Sequence, residues 1–368
     1  MFNVHLKKYD LQFMFIISAA VIFGVFMVFS SSTIKADITL GKPYLFFLKQ
    51  LIWVAVGFLA MACSAFFIDY SLYKKYAKFI YAASVIAVIG VLIFGVTRGG
   101  AKRWFDLGFF TFQPSEIAKI AAIVIMADFI ERKKDFLTRW DGLVAPLVFL
   151  SLIAIPIAAE PDLGIPVLIA GTYLGMLFCA GIKIQAVFAL AGVGIVFIAE
   201  EIIRKPYRVA RLRDYMDSFI NIDAASYQVK QSLYALGSGG FFGKGLGKSE
   251  MKMMYLPEAH TDFIFPIIGE ELGFIGAAAV LLFFIYFFFK GIKISKNAPD
   301  EFGSYLALGI TFLVVFQAVI NLSVATGVFP AKGLPLPFIS FGGTSLVITM
   351  AAAGILINMS QYDVKKRS

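Results

Sequence analysis

Ten apolar runs, most of them long enough to cross a bilayer, follow one another along this chain and leave little room for any other architecture. They fall near residues 11–30, 44–67, 78–96, 114–130, 142–159, 162–181, 184–203, 262–289, 302–326 and 336–359. A helix needs roughly 20 apolar residues to span the hydrocarbon core, and it satisfies its own backbone polar groups there. The expectation is an all-α polytopic membrane protein with ten transmembrane helices, forming one domain over residues 1–368, with both termini on the same side. Composition agrees. The chain is 60% hydrophobic with 40 Phe, and its charged residues make up 15%, against roughly 25% in a soluble domain.

Lys7 and Lys8 precede the first run, as they would in a secretory signal. The run is longer than a signal core and lacks a small-residue cleavage site, so it reads as a retained first span. With that end placed in the cytoplasm, sixteen Lys and Arg fall on inner segments and six on short outer loops. The positive-inside rule then sets the largest loop, about 204–261 between spans seven and eight, on the outer side. The net charge of +9 fits cytoplasmic loops and anionic headgroups, and no pattern for binding nucleic acid is present. Cys63 and Cys179 each lie inside an apolar run and read as packing residues. With His5 and His260 the only histidines, a His/Cys zinc site is excluded. No internal repeat relates the first five spans to the last five, which argues against a transporter built from paired halves.

The polar chemistry concentrates in Tyr255–Gly273, YLPEAHTDFIFPIIGEELG, where Glu258, His260, Asp262, Glu270 and Glu271 crowd beside apolar sequence. The apolar stretch that follows, Phe274 to Phe289, is sixteen residues long and too short to cross. The spanning helix is therefore expected to begin near Asp262, with Glu270 about 12 Å deeper at 1.5 Å per residue. An ionisable group at that depth points to function. The alternative is that Thr261 or Asp262 simply caps the helix.

Four further outer segments carry polar groups. In RGGAKRWFDLGFFTFQPSEIAK, Pro114 suits a first helical turn, which sets Glu116 and Lys119 three apart on one face. They are either a charge pair at a helix end or a buried pair facing a polar cavity. Glu160-Pro161-Asp162-Leu163-Gly164 is a tight turn in which Asp162 either serves the turn or faces a substrate. The long loop opens with an arginine cluster that includes Arg208 and Arg211, suited to lipid headgroups or a pyrophosphate. Its six glycines between 237 and 247 read as flexible turns and not as a nucleotide fingerprint. Finally, AKGLPLPFISFGGTS, with Lys332 and Ser340, follows a span holding Gln317 and Asn321, and its prolines and Gly-Gly argue for a broken helix entry lining a cavity.

In this order, RWFDLGFFTFQPSEIAK, EPDLG, YQVKQSLYALGSGGFFGKGLG, YLPEAHTDFIF, GEELG and KGLPLPFISFGGTS resemble the SEDS family of shape, elongation, division and sporulation proteins, which includes FtsW, RodA and SpoVE. The resemblance covers nearly the whole chain. It implies ten membrane helices and a glycosyltransferase that polymerises lipid II into glycan at the outer face of the bacterial cytoplasmic membrane. It also implies a class B penicillin-binding protein as cross-linking partner, within divisome or elongasome machinery. The family's essential aspartate falls on Asp262, and its helix-start Glu and Lys fall on Glu116 and Lys119. Ala259 and the KGLPLPF run look more like the division branch, FtsW, whereas Phe341 and Thr344 depart from the commoner Tyr and Ser.

Asp262 is therefore the candidate base. Glu116, Lys119, Asp162, Arg208, Arg211, Glu258, His260, Lys332 and Ser340 are candidate contacts for lipid II and the growing lipid-linked strand. No cofactor is required, although a divalent cation, Mg or Mn, between Asp262 and the substrate phosphates fits the chemistry. Two rival readings are a flippase for lipid II and a non-catalytic scaffold for cell-wall enzymes.

Overall fold

The computed structural model of the chain describes all residues except 1–3, 7–8, 99–100, 109, 219–224, 254, 331–332 and 365–368. A short strand, β1 (Val4–Leu6), precedes α1 (Leu11–Leu40). The helix starts where the Asp10 carboxylate accepts from Phe13 N (3.0 Å) and stops at Gly41, whose φ of 61° ends it in the left-handed region. There follow α2 (Leu45–Ala62), which runs on into a π turn (Cys63–Phe67), then α3 (Tyr70–Lys75) and α4 (Ala77–Phe94). Three strands, β2 (Val96–Arg98), β3 (Ala101–Asp106) and β4 (Thr111–Phe112), form an antiparallel sheet that leads into α5 (Pro114–Lys133), where Pro114 occupies the first turn.

Next come α6 (Val144–Ala159), α7 (Gly164–Cys179), α8 (Ile184–Ile203), α9 (Pro206–Ser218) and α10 (Tyr227–Ser238). The chain closes with α11 (Ile264–Asn297), α12 (Glu301–Ala325), α13 (Gly343–Met359) and β5 (Tyr362–Val364). β5 pairs antiparallel with β1, Val4 opposite Val364, so the two ends of the chain meet at one end of the bundle. Asp10 and Lys290 form an ion pair at that end.

Among the described residues, seven helices are long and apolar enough to cross a membrane, and Gly164–Cys179 and Gly343–Met359 are shorter apolar helices. The α5 helix falls outside both groups for a physical reason. It lies in the middle of the bundle, with Ala118, Ala121, Ala122 and Ala127 buried, so it has no need to be uniformly apolar and carries Glu116, Lys119 and Asp128 inside. The most apolar window of α12 is 67% buried, whereas that of α8 is 6% buried and faces outward nearly all round.

The fold is mostly helical, with two small sheets where the chain turns at the helix ends. Within the 204–261 segment the chain forms α9 and α10. One expectation needs correction. The helix after Asp262 is not one continuous span. Gly273 takes non-helical angles (φ 66°, ψ −160°), and helix resumes on its far side through Asn297. The apolar run from Phe274 is thus prolonged at its lysine-bearing end and does not need to begin at Asp262.

Candidate active site

Asp262 sits at the start of α11, at the end of the bundle away from the paired termini. Its backbone is pinned from two directions. The carbonyls of three successive residues are each taken: His260 O accepts from Phe341 N (2.9 Å), Thr261 O from Ser340 Oγ (2.6 Å) and Asp262 O from Asn321 Nδ2 (2.8 Å). Asn321, on α12, also donates to Leu334 O (2.7 Å), and Ser340 Oγ accepts from Leu336 N (2.8 Å). Buried Asn321 and Ser340 therefore lock the 260–262 turn to the proline-rich 333–341 segment. Gly333 lies so close that a Cβ there would sit 2.5 Å from Asp262 Oδ2.

The carboxylate itself is left over. Among the described residues no hydrogen bond or ion pair reaches it, and the helix N-cap is Phe263, with no side-chain cap bond. Asp262 does not cap the helix. Burial, with Glu258 and then Asp162 adding like charge, pushes its carboxyl up to about 7 against the pull of Arg103. A carboxyl poised near neutrality in a partly dry site is a group fit for proton transfer.

Arg103, on β3, is the cation of this cluster, and sequence reading passed over it. Its Nε donates to Glu160 O (3.0 Å), its Nη2 to Pro161 O (2.7 Å), and its Nη1 lies 3.6 Å from Asp162 Oδ2. It fastens the 160–162 turn beside Asp262. The signal available in the sequence was its place in the RWFDLG stretch. Asp162 serves the turn, its Oδ1 accepting from Gly164 N (2.8 Å), while its carboxylate lies near Arg103 and Asp262. Glu160 is buried with neither carboxylate oxygen bonded. Burial, then the charge of Asp162, pushes it up to about 8 against Arg103.

Glu258 lies at the outer rim, with Oε1 3.2 Å from Lys35 Nζ and Oε2 accepting from Thr261 Oγ1 (3.1 Å). His260 packs its ring on Phe46 and Phe341, with centroids 4.7 and 5.7 Å away, and its Nδ1 is buried without a partner. Burial pushes the imidazole down to about 4, with Lys35 adding to the effect and Glu258 opposing it, so His260 is neutral at pH 7.

Glu116 and Lys119 are a buried pair, Nζ to Oε2 2.8 Å, and Lys119 also donates to Gln317 Oε1 (2.9 Å). Gln317 Nε2 in turn donates to Pro335 O (2.8 Å). Gln317 and Asn321 stand one turn apart on α12, so the pair is joined to the same 333–341 segment that holds Asp262.

The remaining candidates lie elsewhere. Arg208 binds Glu201, both its carbonyl (2.7 Å) and its carboxylate (2.8 Å), and among the described residues no bond links it to the Asp262 cluster. Arg211 is exposed on α9 and lines a groove with Tyr215 and Pro330. Lys332 lies outside the described residues. The divalent cation considered from the sequence has no ready protein site, for among the described residues no three His, Cys, Asp or Glu side chains converge on one point.

A bundle with seven helices long and apolar enough to cross a membrane, and two shorter apolar ones among the described residues, defines a polytopic membrane protein. The chain belongs to the FtsW/RodA/SpoVE family, whose model, described as a cell cycle protein, matches residues 10–365. It is 37% identical over 360 residues to stage V sporulation protein E of Bacillus subtilis (strain 168), covering 96% of this chain and 97% of that one. It is 38% identical over 358 residues to the probable peptidoglycan glycosyltransferase FtsW of Trichlorobacter lovleyi, covering 96% and 94%. Its fold matches a solved peptidoglycan synthase complex that coordinates polymerization and crosslinking, at TM-score 0.77 and 24% identity over 96% of this chain and 97% of that one. It also matches the rod shape determining protein RodA of Thermus thermophilus, at TM-score 0.70 and 25% identity over 95% and 96%.

Proposed function

We propose that this chain is a peptidoglycan glycosyltransferase that polymerises lipid II at the outer face of the bacterial cytoplasmic membrane. The observation that carries the reading is the Asp262 carboxyl, fixed through its backbone, without a partner at its oxygens among the described residues and raised to about 7. The 4-hydroxyl of the acceptor sugar attacks the anomeric carbon of the donor glycan. Asp262 accepts the hydroxyl proton as the new bond forms, polyprenyl pyrophosphate leaves, and an α-linkage becomes a β-linkage. The leaving group needs cations. Lys119 is enclosed by Glu116 and Gln317, and Arg208 is held by Glu201, so Arg103, the cation beside Asp262, is better placed for it. Glu258 and His260 form the rim past which the sugars enter, and Asn321 and Ser340 hold the turn still.

The same reading places the whole chain in one integral domain of ten spans, with α5, α7 and α13 crossing alongside the seven longer apolar helices. Both ends are cytoplasmic. The pairing of β1 with β5 and the sixteen-to-six charge bias support this. A cysteine at Lys248, in a chain lacking Cys63 and Cys179, should react with an impermeant thiol reagent in intact cells. Reaction only after permeabilisation would reverse the orientation. Similarity to a synthase complex supports a class B penicillin-binding protein as partner, within division or elongation machinery and, on the FtsW likeness, at the septum.

The decisive experiment gives lipid II in detergent to the purified chain with its penicillin-binding partner and resolves glycan on a gel. Ladders are expected. No ladder, where no membrane remains to cross, would favour a flippase. A ladder-forming complex that is indifferent to Asp262→Asn would reduce this chain to a scaffold.

A further inference from the structure

Between Asp262 and the bilayer-spanning part of α11 lies a half-helix, Ile264 to Leu272, that ends at the Gly273 break. Such a break leaves carbonyls on one side and amides on the other without helical partners. The 239–252 loop supplies both. Lys244 N and Gly245 N donate to the carbonyls of Glu270 and Glu271 (2.9 Å each), while Gly240 O and Phe241 O accept from Phe274 N (2.9 Å) and Ile275 N (3.4 Å). The contact is backbone on backbone, since a Cβ on Gly273 would fall 2.3 Å from Gly243 N. The glycines read as flexible turns are therefore a fixed splint.

Side chains repeat the attachment. Glu270 and Glu271 are both 0% exposed. Glu270 takes Lys244 Nζ (2.9 Å), Ser249 Oγ and Glu250 N (3.0 Å). Glu271 takes Lys252 Nζ at 2.8 Å and the hydroxyl of Ser30 on α1 at 2.7 Å, and Lys252 also donates to Ser30 (3.1 Å).

We propose that Lys252, Glu271 and Ser30 are positioning residues for the polymerisation reaction, fixing the far end of the half-helix whose near end carries Asp262. The inference rests on the reading of Asp262 as the base. A buried ion pair is a poor device for stability alone, because apolar residues of like volume often do as well. Through Ser30 this pair ties α1 to the loop and half-helix, which the backbone bonds and the Lys244–Glu270 pair already hold to each other. The near end is held by Asn321, Ser340 and Phe341, so the half-helix is a short rod gripped at both ends, with a natural pivot at Gly273. Loosening the far grip moves the base. A shift of about 1 Å at a reacting group can cost about 100-fold in rate.

The test uses the full chain with its partner in detergent. Lys252→Met with Glu271→Gln should lower kcat about 100-fold, leave KM within about twofold and keep a cooperative melt, and Lys252→Arg should retain most of the parent kcat. The second readout does not depend on activity. In an Asp262→Cys chain with Cys63 and Cys179 replaced by alanine, the same double change should speed thiol labelling at position 262 by about tenfold, because the turn is freed to open. Ser30→Ala, which removes one hydroxyl, should act in the same direction on labelling, and it decides the matter where the double variant does not fold. Unchanged labelling at 262, or loss of kcat only in step with loss of the melt, overturns the proposal. Polymerisation by Asp262→Asn would instead overturn the catalytic reading, and leaves the labelling result to be judged by itself.

Discussion

Half-buried Asp262 and the fully buried Glu270–Glu271 pair lie eight residues apart on one segment, and they are opposites. Every oxygen of the glutamate pair that meets the protein is met by a lysine, a hydroxyl or a backbone amide. Among the described residues the Asp262 carboxylate has no such partner, although the backbone that bears it is bonded at three successive carbonyls. Burial of charge is costly unless it is paired. Where a chain pairs it fully, the group builds structure. Where the chain fixes the backbone and leaves the carboxyl bare, the cost is kept at the point where a reaction needs a base. From sequence alone Glu270 was expected about 12 Å deeper than Asp262, and of the two it is the one the fold pairs fully.

The largest effects should fall in opposite columns. Asp262→Asn removes a base that commonly contributes about 10²–10⁴-fold, so glycan ladders should all but vanish. Partner binding should match the parent and the melt should be no lower, because Phe263 is the N-cap and no side-chain bond is lost. Glu271→Ala should do the reverse to the balance. It leaves Lys252 buried without its counter-charge, a loss of about 3–5 kcal/mol in stability, seen as a fall in melting temperature that precedes any kinetic measurement. Parent-like ladders from Asp262→Asn, or a parent-like melt from Glu271→Ala, would break the comparison.

Glu116 and Lys119 stand between these extremes, paired like the glutamates yet wired to the site through Gln317 and Pro335. Either single change, Glu116→Gln or Lys119→Met, strands a buried partner. The double change should cost clearly less stability than the sum of the two singles, with a coupling of about 0.5–3 kcal/mol in a double-mutant cycle. Its rate should still fall about tenfold, because the 333–341 segment loses an anchor and geometry at the base is exacting. A double variant at the parent rate would assign the pair to structure alone.

The sequence carried much of this, and the omissions have physical causes. The apolar runs foretold where the helices lie because lipid imposes length and composition on whatever crosses it. They could not foretell the Gly273 break. The residue that makes it is one glycine among many, and the carbonyls it frees are satisfied by a loop about thirty residues upstream. Asp262, Glu116 and Lys119 were legible because charge is rare in apolar sequence. Arg103 was not. It sits on a strand that forms only when the 96–112 segment folds back on itself, and its bonds are to carbonyls of a turn nearly sixty residues away. The partner of Arg208 was not legible either: an arginine cluster in sequence says nothing about Glu201, seven residues back on the preceding helix.

The last expected effect is also the sharpest test of what sets Asp262 apart. Its carboxyl titrates at 3.8 when free and at about 7 in the fold, through burial first and then Glu258 and Asp162. Between those values the folded chain keeps a proton that the unfolded chain has released. The site's contribution to stability is therefore whole below about pH 4, falls as pH rises toward 7, and is constant beyond. Asparagine cannot ionise. The melting temperature of Asp262→Asn should thus equal the parent's near pH 4 and clearly exceed it near pH 8, the difference opening across that window. Activity runs the other way. The base acts only when ionised, so kcat/KM of the parent should rise about tenfold per pH unit toward 7 and then level. One carboxyl should give opposite slopes over the same range. Glu258→Gln removes a like charge at the rim and should move both inflections to lower pH together. An inflection that stays near 4 in the parent, with no divergence in melting, would mean that Asp262 is as well satisfied as Glu271, by water if not by protein, and the contrast between the two groups would fail.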